Sequence, residues 1–372
     1  MKGRLLVAVA ALVLVAPVLA APPRVTGRAW LVENGATGEV LLAHNARQRV
    51  PIASITKLMT VLLTLEHARL DDIVTVSPEA ASVGESSANL RAGERLTVRE
   101  LLEAALIQSA NDAADALADY VGHGNRARFV AMMNARARQL GLRDTHYVRP
   151  DGLDAAGHVS SARDVTFLAR VLMHRPAVRQ IVRMRAAAIS GGQTLHTWND
   201  LLSSYPGLYG VKTGHTSTAG WNEVAASRRR GVSIYATLLG SPARGTRNAD
   251  LTRLLDWGFS RYAQVRAVIK GRAYATAELG YGRRPLALVA TRSLAPVARV
   301  DRALVRRVVF LDAADLPVSR GQSLGQVRIY QRGRLIGVVP LVASRSAGRP
   351  GLPGRVGWYA TRTLHHMWGW VS

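Results

Sequence analysis

The sequence predicts a mixed α/β (α+β) domain with an antiparallel sheet flanked by helices, then a small all-β domain, then a C-terminal amphipathic helix. Three observations lead there. Strand-like segments stand at both ends of residues 21–262, with helix-period segments between them. After Tyr262 the texture changes to short runs of Val, Leu and Ile broken by Gly, Pro and Asp. Last, Arg349-Pro350-Gly351-Leu352-Pro353-Gly354 is a breaker cluster, and a tryptophan-rich tail follows it.

The elements follow in order. Residues 29–32 and 39–43 read as strands around the turn Asn34-Gly35-Ala36-Thr37-Gly38. From Ile55 to about Ala68, Leu58, Val61, Leu62 and Leu65 recur at helical spacing, so Ser54 stands at a helix N-terminus with Lys57 one turn on, on the same face. Residues 80–95 are polar and read as a loop. Helices are expected from Val98 to about Gln108, Ala113 to Tyr120, and 126–140. Ser161 with Asp164 reads as a capping box opening a helix to about His174. Leu208–Val211 leads into Lys212-Thr213-Gly214-His215. Gly220–Ala226 and Val232–Leu239 are expected strands joined at Arg228-Arg229-Arg230, and a helix from Asn248 to Tyr262 closes the domain. Strands of the all-β domain, 263–348, are expected at 265–269, 286–290, 305–311, 324–330 and 335–342. Residues 349–354 are the expected linker and 355–372 the terminal helix.

Lys2 and Arg4 precede an uninterrupted apolar run, Leu5 to Val15, and Pro17-Val18-Leu19-Ala20-Ala21 offers small residues for cleavage. Residues 1–20 are therefore expected to be a secretory leader, since the run is short for a membrane span. The chain has 372 residues, 48% of them hydrophobic, enough for two cores. It has no cysteine, which excludes thiol catalysis, disulfides and cysteine-ligated zinc. Its net charge is +24. The arginines are scattered and no nucleic-acid motif occurs, so the charge reads as a basic surface suited to anionic lipid or carboxylate-bearing wall polymer, with no nucleic-acid partner. The ten histidines have no metal-ligand spacing, and neither metal nor cofactor is expected.

Lysine is scarce. Among 49 basic residues only Lys2, Lys57, Lys212 and Lys270 are lysines. Arginine cannot give up its proton in a protein, whereas a buried or cation-flanked lysine can. Two of the three lysines beyond the leader sit in short motifs, Ser54-Ile55-Thr56-Lys57 and Lys212-Thr213-Gly214, and Ser109-Ala110-Asn111 lies between them. Singly these are weak, since each serine or asparagine can be a helix cap and Lys212 a surface charge. Together and in this order they are the motif set of penicillin-recognising serine acyl transferases.

Acyl transfer needs a serine nucleophile and a base to take its proton. Lys57 is the base-capable group at fixed offset from Ser54, and Lys212 is a cation that can help unload it. Ser109 is placed to relay a proton to the leaving amine. Asn111 offers its amide to substrate or to Lys57. Lys212 and Thr213 suit a terminal carboxylate, and Gly214 lets a substrate strand lie close. The oxyanion needs two backbone N–H groups, expected from Ser54 and His215.

The chain resembles the D-alanyl-D-alanine carboxypeptidases among the low-molecular-mass penicillin-binding proteins. The resemblance covers nearly the whole chain. It rests on Pro51–Thr60, Ser109–Ala114, Pro150-Asp151-Gly152-Leu153, Gly157-His158-Val159-Ser160 and Gly210–Thr216, with a looser match at Gly325-Gln326-Val327 and Pro340-Leu341-Val342. It implies a penicilloyl-transferase/β-lactamase-like catalytic domain, a β-sandwich stalk and a C-terminal membrane-associating helix. It also implies peptidoglycan stem peptides ending in D-Ala-D-Ala as substrates and β-lactams as acylating ligands. Arg247 falls where the family carries a carboxylate-binding arginine. Trp198-Asn199-Asp200 departs from the family pattern and puts substrate preference there in question. The implied setting is the outer face of the cytoplasmic membrane. A D,D-endopeptidase is a close variant. A class-A-like β-lactamase would want a deacylating glutamate between the second and third motifs, where Glu103 and Glu223 enclose none. A wall-binding scaffold would have no need of the intact Ser54, Lys57, Ser109 and Lys212. On the tail, Val356, Tyr359 or Ala360, Leu364, Met367 and Val371 share a helical face, with Trp358, Trp368 and Trp370 at its flanks, as an interfacial helix requires.

Overall fold

The computed structural model describes residues 4–12 and 21–368. The chain divides into two compact units, Ala20–Ser260 and a second formed by Met1–Leu19 with Arg261–Ser372.

The first unit is built on a five-stranded antiparallel sheet. In chain order its strands are β1 (Ala29–Asn34), β2 (Val40–His44), β3 (Leu208–Thr216), β4 (Gly220–Arg229) and β5 (Val232–Ser241). In space the order is β2-β1-β5-β4-β3, so strands from both ends of the unit share one sheet and the Lys212 strand, β3, lies at its edge. Side chains alternate faces along a strand. Ile234 on one face meets Gly258 of the helix Arg244–Ser260, and Thr237 on the other face meets Thr166 of the helix Ala162–Leu172. The two helices therefore cover opposite faces.

The helix Lys57–His67 is buried almost all round. Leu58, Met59, Val61, Leu62 and Leu63 are all closed to solvent, as are Lys57, Thr60 and Thr64. It is a central helix and not the one-faced helix its periodicity suggests. It packs against the alanine-rich helix Asn111–Gly122, whose small side chains permit close approach.

Several boundaries move. Ser54 lies in a 3-10 turn, Ala53–Thr56, and the α-helix starts only at Lys57. The helix expected to Gln108 is α-helical over Val98–Glu103 and continues as one π-type turn, Ala104–Gln108, ending at Ser109 with φ +66°. Ser161 caps its helix by accepting from Asp164 N–H, but the box is not reciprocal. Asp164 Oδ2 instead accepts from Asp144 N–H and the Thr145 hydroxyl. A short helix, Pro78–Ala81, opens the expected 80–95 loop. The closing helix begins at Arg244, not Asn248.

The second unit holds one seven-stranded sheet, ordered Leu5–Leu12, Leu304–Leu311, Ser323–Gln331, Arg334–Ala343, Leu286–Ala290, Ala273–Leu279 and Ala313–Ala314. The strand expected at 265–269 is instead Tyr262–Gln264, paired with Val297–Arg299. Ala273–Leu279 has no counterpart in the sequence reading. The start of the apolar leader run is extended here and pairs antiparallel with Leu304–Leu311. The rest of that run and most of the expected cleavage segment, residues 13–20, lie outside the described residues. The breaker cluster does not hold as a linker to residue 354. A helix starts at Leu352, with Pro353 in its first turn, where a missing N–H costs nothing. That helix is described to Trp368, and residues 369–372 lie outside the described part. Among the described residues no helix is long and apolar enough to cross a membrane.

Candidate active site

The three motifs arrive from three elements. The Ser54 turn lies against the free edge of β3, and the π-type turn brings in Ser109. The chemistry centres on Lys57, whose Nζ lies 2.8 Å from Ser54 Oγ, 2.7 Å from Asn111 Oδ1 and 2.7 Å from the carbonyl oxygen of Asp151. The second lysine, Lys212, donates to Ser109 Oγ at 2.7 Å and to the Thr213 carbonyl at 2.9 Å. Both lysines are buried. Burial pulls Lys57 down to about 8, against the fields of Asp151, Asp115, Asp112 and Glu85, which favour its charged form. Lys212 is held well below the usual lysine range by burial first and by the Lys57 charge second. Desolvation is the largest cause at both lysines, and their mutual repulsion disfavours charging both at once.

The geometry around Lys57 depends on a turn at Pro150–Leu153. The Asp151 carboxylate accepts from Arg149 Nε and Nη2 at 2.8 and 2.7 Å and from Leu153 N–H at 2.8 Å. This fixes the turn so that its carbonyls point inward, Asp151 to Lys57 and Pro150 to Thr60 Oγ1 at 2.6 Å. Gly152 has φ +89°, and a Cβ there would lie 2.2 Å from the Ala53 carbonyl oxygen, beside the nucleophile. Only glycine fits that close approach. Asp115 shares the buried space with Asp151, and desolvation, with the Asp151 charge beside it, raises its carboxyl above the usual carboxylate range. His158 accepts from Val148 N–H through Nδ1, so its Nε2 proton goes to Thr56 Oγ1, 2.7 Å away. Burial lowers this imidazole to about 4, keeping it neutral and structural.

A cleft of about 330 Å³ opens over Ser54, lined also by Glu85, Ser86, Ser109, Trp198, Thr213, Gly214, His215, Trp221 and Arg247. Gly214 has a more local reason than room for substrate. A Cβ there would sit 3.0 Å from Ile52 O and Ser54 N, so the glycine lets β3 close on the nucleophile turn itself. His215 is exposed and stacks on Trp221, ring centroids 4.0 Å apart. Asn111 is committed on both sides, Oδ1 to Lys57 and Nδ2 to the Gly84 carbonyl at 2.9 Å. Arg247 is no surface arginine. It is 1% exposed, its Nε lies 3.1 Å from the buried Glu223 carboxylate, and it still lines the cleft.

Sequence reasoning placed Ser54, Lys57, Ser109, Asn111, Lys212, Thr213, Gly214, His215 and Arg247 here, and the fold brings all nine into or directly beneath one cleft. It missed Glu85, Ser86, Trp221 and Glu223, and it gave Asp151 no role. Glu223 did leave a signal: a single carboxylate inside the apolar strand Gly220–Ala226 demands a partner. Glu85 left none, because its position depends on a non-local contact with Asn111. Trp198, flagged as a departure, forms a wall. Its Nε1 donates to the Gln108 carbonyl, and Arg244, held by Asp200, lies over its ring at 5.4 Å. Among the described residues no group of three or more His, Asp or Glu is placed to hold a metal ion.

Residues 16–243 match the family model described as D-alanyl-D-alanine carboxypeptidase. The chain is 33% identical over 354 residues to the D-alanyl-D-alanine carboxypeptidase DacD of Salmonella typhimurium, covering 91% of this chain and 90% of that protein. It is 29% identical to DacF of Bacillus subtilis, covering 85% and 84%. Among solved structures, penicillin binding protein 5 from Haemophilus influenzae aligns with TM-score 0.64 and 26% identity, over 89% of this chain and 100% of that one. The Streptomyces K15 DD-transpeptidase aligns with TM-score 0.62 and 31% identity, over 65% of this chain and 100% of that one. With the family model spanning more than half of its length and the three motifs meeting at one cleft, the chain belongs to the D-alanyl-D-alanine carboxypeptidase family of serine peptidases.

Proposed function

We propose that the chain is a serine-type D-Ala-D-Ala carboxypeptidase that trims the terminal D-alanine from peptidoglycan stem peptides through a Ser54 acyl-enzyme, and that β-lactams acylate the same serine. The observation that carries this is the set of three contacts at Lys57 Nζ. Asn111 Oδ1 and the Asp151 carbonyl can only accept hydrogen bonds. A neutral Lys57 directs its two N–H groups to them, and its lone pair is left for the Ser54 hydroxyl. The base is aimed before substrate arrives.

The reaction then follows from the placement of groups. Ser54 Oγ attacks the carbonyl carbon of the penultimate D-Ala while its proton passes to Lys57. The oxyanion is held by the backbone N–H groups of Ser54 and His215, on the two segments that Gly214 lets approach. The leaving amine takes its proton through Ser109, which Lys212 holds at 2.7 Å. Thr213, Lys212 and Arg247 receive the terminal carboxylate. Water then hydrolyses the ester on Ser54. No cofactor takes part in this scheme.

The setting is extracytoplasmic, with the terminal helix lying on the outer face of the cytoplasmic membrane and an anionic lipid surface as its partner. Exposed Val356 and Tyr359 support that reading, as does the net charge of +24. Fluorescent-penicillin labelling together with D-Ala release from a D-Ala-D-Ala peptide tests the assignment. Loss of both in Ser54→Ala is expected, and a labelled Ser54→Ala protein would sink it.

A further inference from the structure

In the first unit, one acidic side chain faces the Ser54 cleft. Glu85 is the one carboxylate among the cleft's lining residues, and it makes no hydrogen bond or ion pair with any described residue. Its position is built. Asn111 Nδ2 donates to the Gly84 carbonyl at 2.9 Å, and Asn111 N–H donates to the Ser86 carbonyl at 2.7 Å. Asp112 holds the next stretch through Ser87 Oγ, Ala88 N–H and Leu90 N–H. Residue 85 is therefore clamped on both sides by the residue that also orients Lys57, and it adopts φ +66°, which a glutamate enters only at a cost. A flexible surface residue would not be held this way.

The cleft is thus bipolar. Arg247 rises from the helix Arg244–Ser260, and its field reaches Lys212 and Glu223. Glu85 comes from the 82–92 loop, and its field reaches Lys57 and Arg149. With the terminal carboxylate received at Arg247 as in the proposed scheme, the acyl portion would lie on the side of the cleft that Glu85 lines. We infer that Glu85 is a specificity residue, which favours acyl donors carrying a primary ammonium on the portion upstream of the scissile bond. This rests on the carboxypeptidase reading for its peptide substrate, but not for its β-lactam readout.

Two ligand pairs test it on the full-length protein. The first is a D-Ala-D-Ala peptide with an upstream lysine, free or Nε-acetylated, read as the ratio of kcat/KM. The second is ampicillin against benzylpenicillin, which differ by one ammonium group, read as the ratio of Ser54 acylation rates. An exposed charge pair is worth about a two- to five-fold preference for the ammonium form at low salt. That preference should collapse towards one in 1 M salt, where the screening length is about 3 Å. Glu85→Gln should bring both ratios close to one, and Glu85→Lys should invert them. A preference that survives Glu85→Gln, or no preference in the wild type with either pair, overturns the assignment. A penicilloyl adduct that outlives the wild-type adduct in Glu85→Gln overturns it too, by assigning the carboxylate to the deacylating water. If neither peptide loses D-Ala in the wild type, the carboxypeptidase reading fails, while the penicillin pair still decides the role of Glu85.

Discussion

The carbonyl oxygen of Asp151 lies 2.7 Å from Lys57 Nζ, while the carboxylate of the same residue is clasped by Arg149. One residue thus uses its side chain to fix its own backbone, and its backbone to orient Lys57. The charged Asp151 side chain favours protonated Lys57, but burial wins and leaves the lysine near 8.

The first prediction follows from that balance. Acylation of Ser54 needs neutral Lys57, so the rate with a penicillin of fixed charge should rise with pH and level off above about 8. Lys57→Arg keeps the charge and removes the base, and should slow acylation by at least ~100-fold at every pH in this range. Stopped-flow acylation across pH 6–9 checks both. A flat profile in the wild type would remove Lys57 from the role of base.

Gly152→Ala should be damaging out of proportion to one methyl group. The new Cβ would enter the Ala53 carbonyl, and φ +89° is unfavourable for alanine. We expect a loss of more than about 1 kcal/mol of stability, with slower acylation, because the displaced turn carries the Asp151 carbonyl. Denaturant unfolding and penicillin labelling of the same sample measure the two effects. Gly141→Ala, also at positive φ but with open space around its Cβ, separates backbone strain from the clash.

Arg247 joins a structural role to the proposed carboxylate contact, and the two can be separated. Arg247→Ala strands the buried Glu223 and should cost about 3–5 kcal/mol, the range for breaking a buried ion pair from one side. Adding Glu223→Gln should restore most of the stability, because the stranded charge is gone. It should not restore activity on a peptide with a free terminal carboxylate. Thermal melts and D-Ala release decide it, and recovery of both would make Arg247 purely structural.

How far the sequence carried follows from the range of the interactions. Ser54 and Lys57 were legible because three residues of chain fix their separation. Ser109, Asn111 and Lys212 were legible only as a motif set, since nothing local says that a buried lysine will meet Ser109. The Asp151 turn and the Glu85 clamp rest on contacts between segments far apart in the chain, and residue periodicity carries no trace of them, while Glu223 stood out in its strand without anything to name Arg247 as its partner. The linker expected at 349–354 failed for a local reason. Pro353 reads as a breaker but sits in the first turn of the helix Leu352–Trp368, where proline is tolerated.

That helix sets the last prediction. Trp358 and Tyr359 pack edge-on against Tyr281 at 5.4 and 6.3 Å, so the start of the helix is docked on the β-rich unit, while Val356 is 66% exposed and Tyr359 still 57% exposed. Deleting residues 355–372 would take away Trp358 and bare Tyr281, a local loss in the unit that does not hold the cleft. The truncated protein should therefore keep D-Ala release on a soluble peptide and lose binding to anionic vesicles. Apolar burial should dominate the binding, because Arg355 and Arg362 are the only arginines or lysines in the deleted segment. Full-length protein should then stay on vesicles in 1 M salt, where Coulomb attraction is screened beyond about 3 Å. Sedimentation with vesicles at low and high salt provides the measurement. A truncated protein that still sediments would make the basic surface the anchor, and a full-length protein released by salt would show that charge, not the aromatic face, holds it.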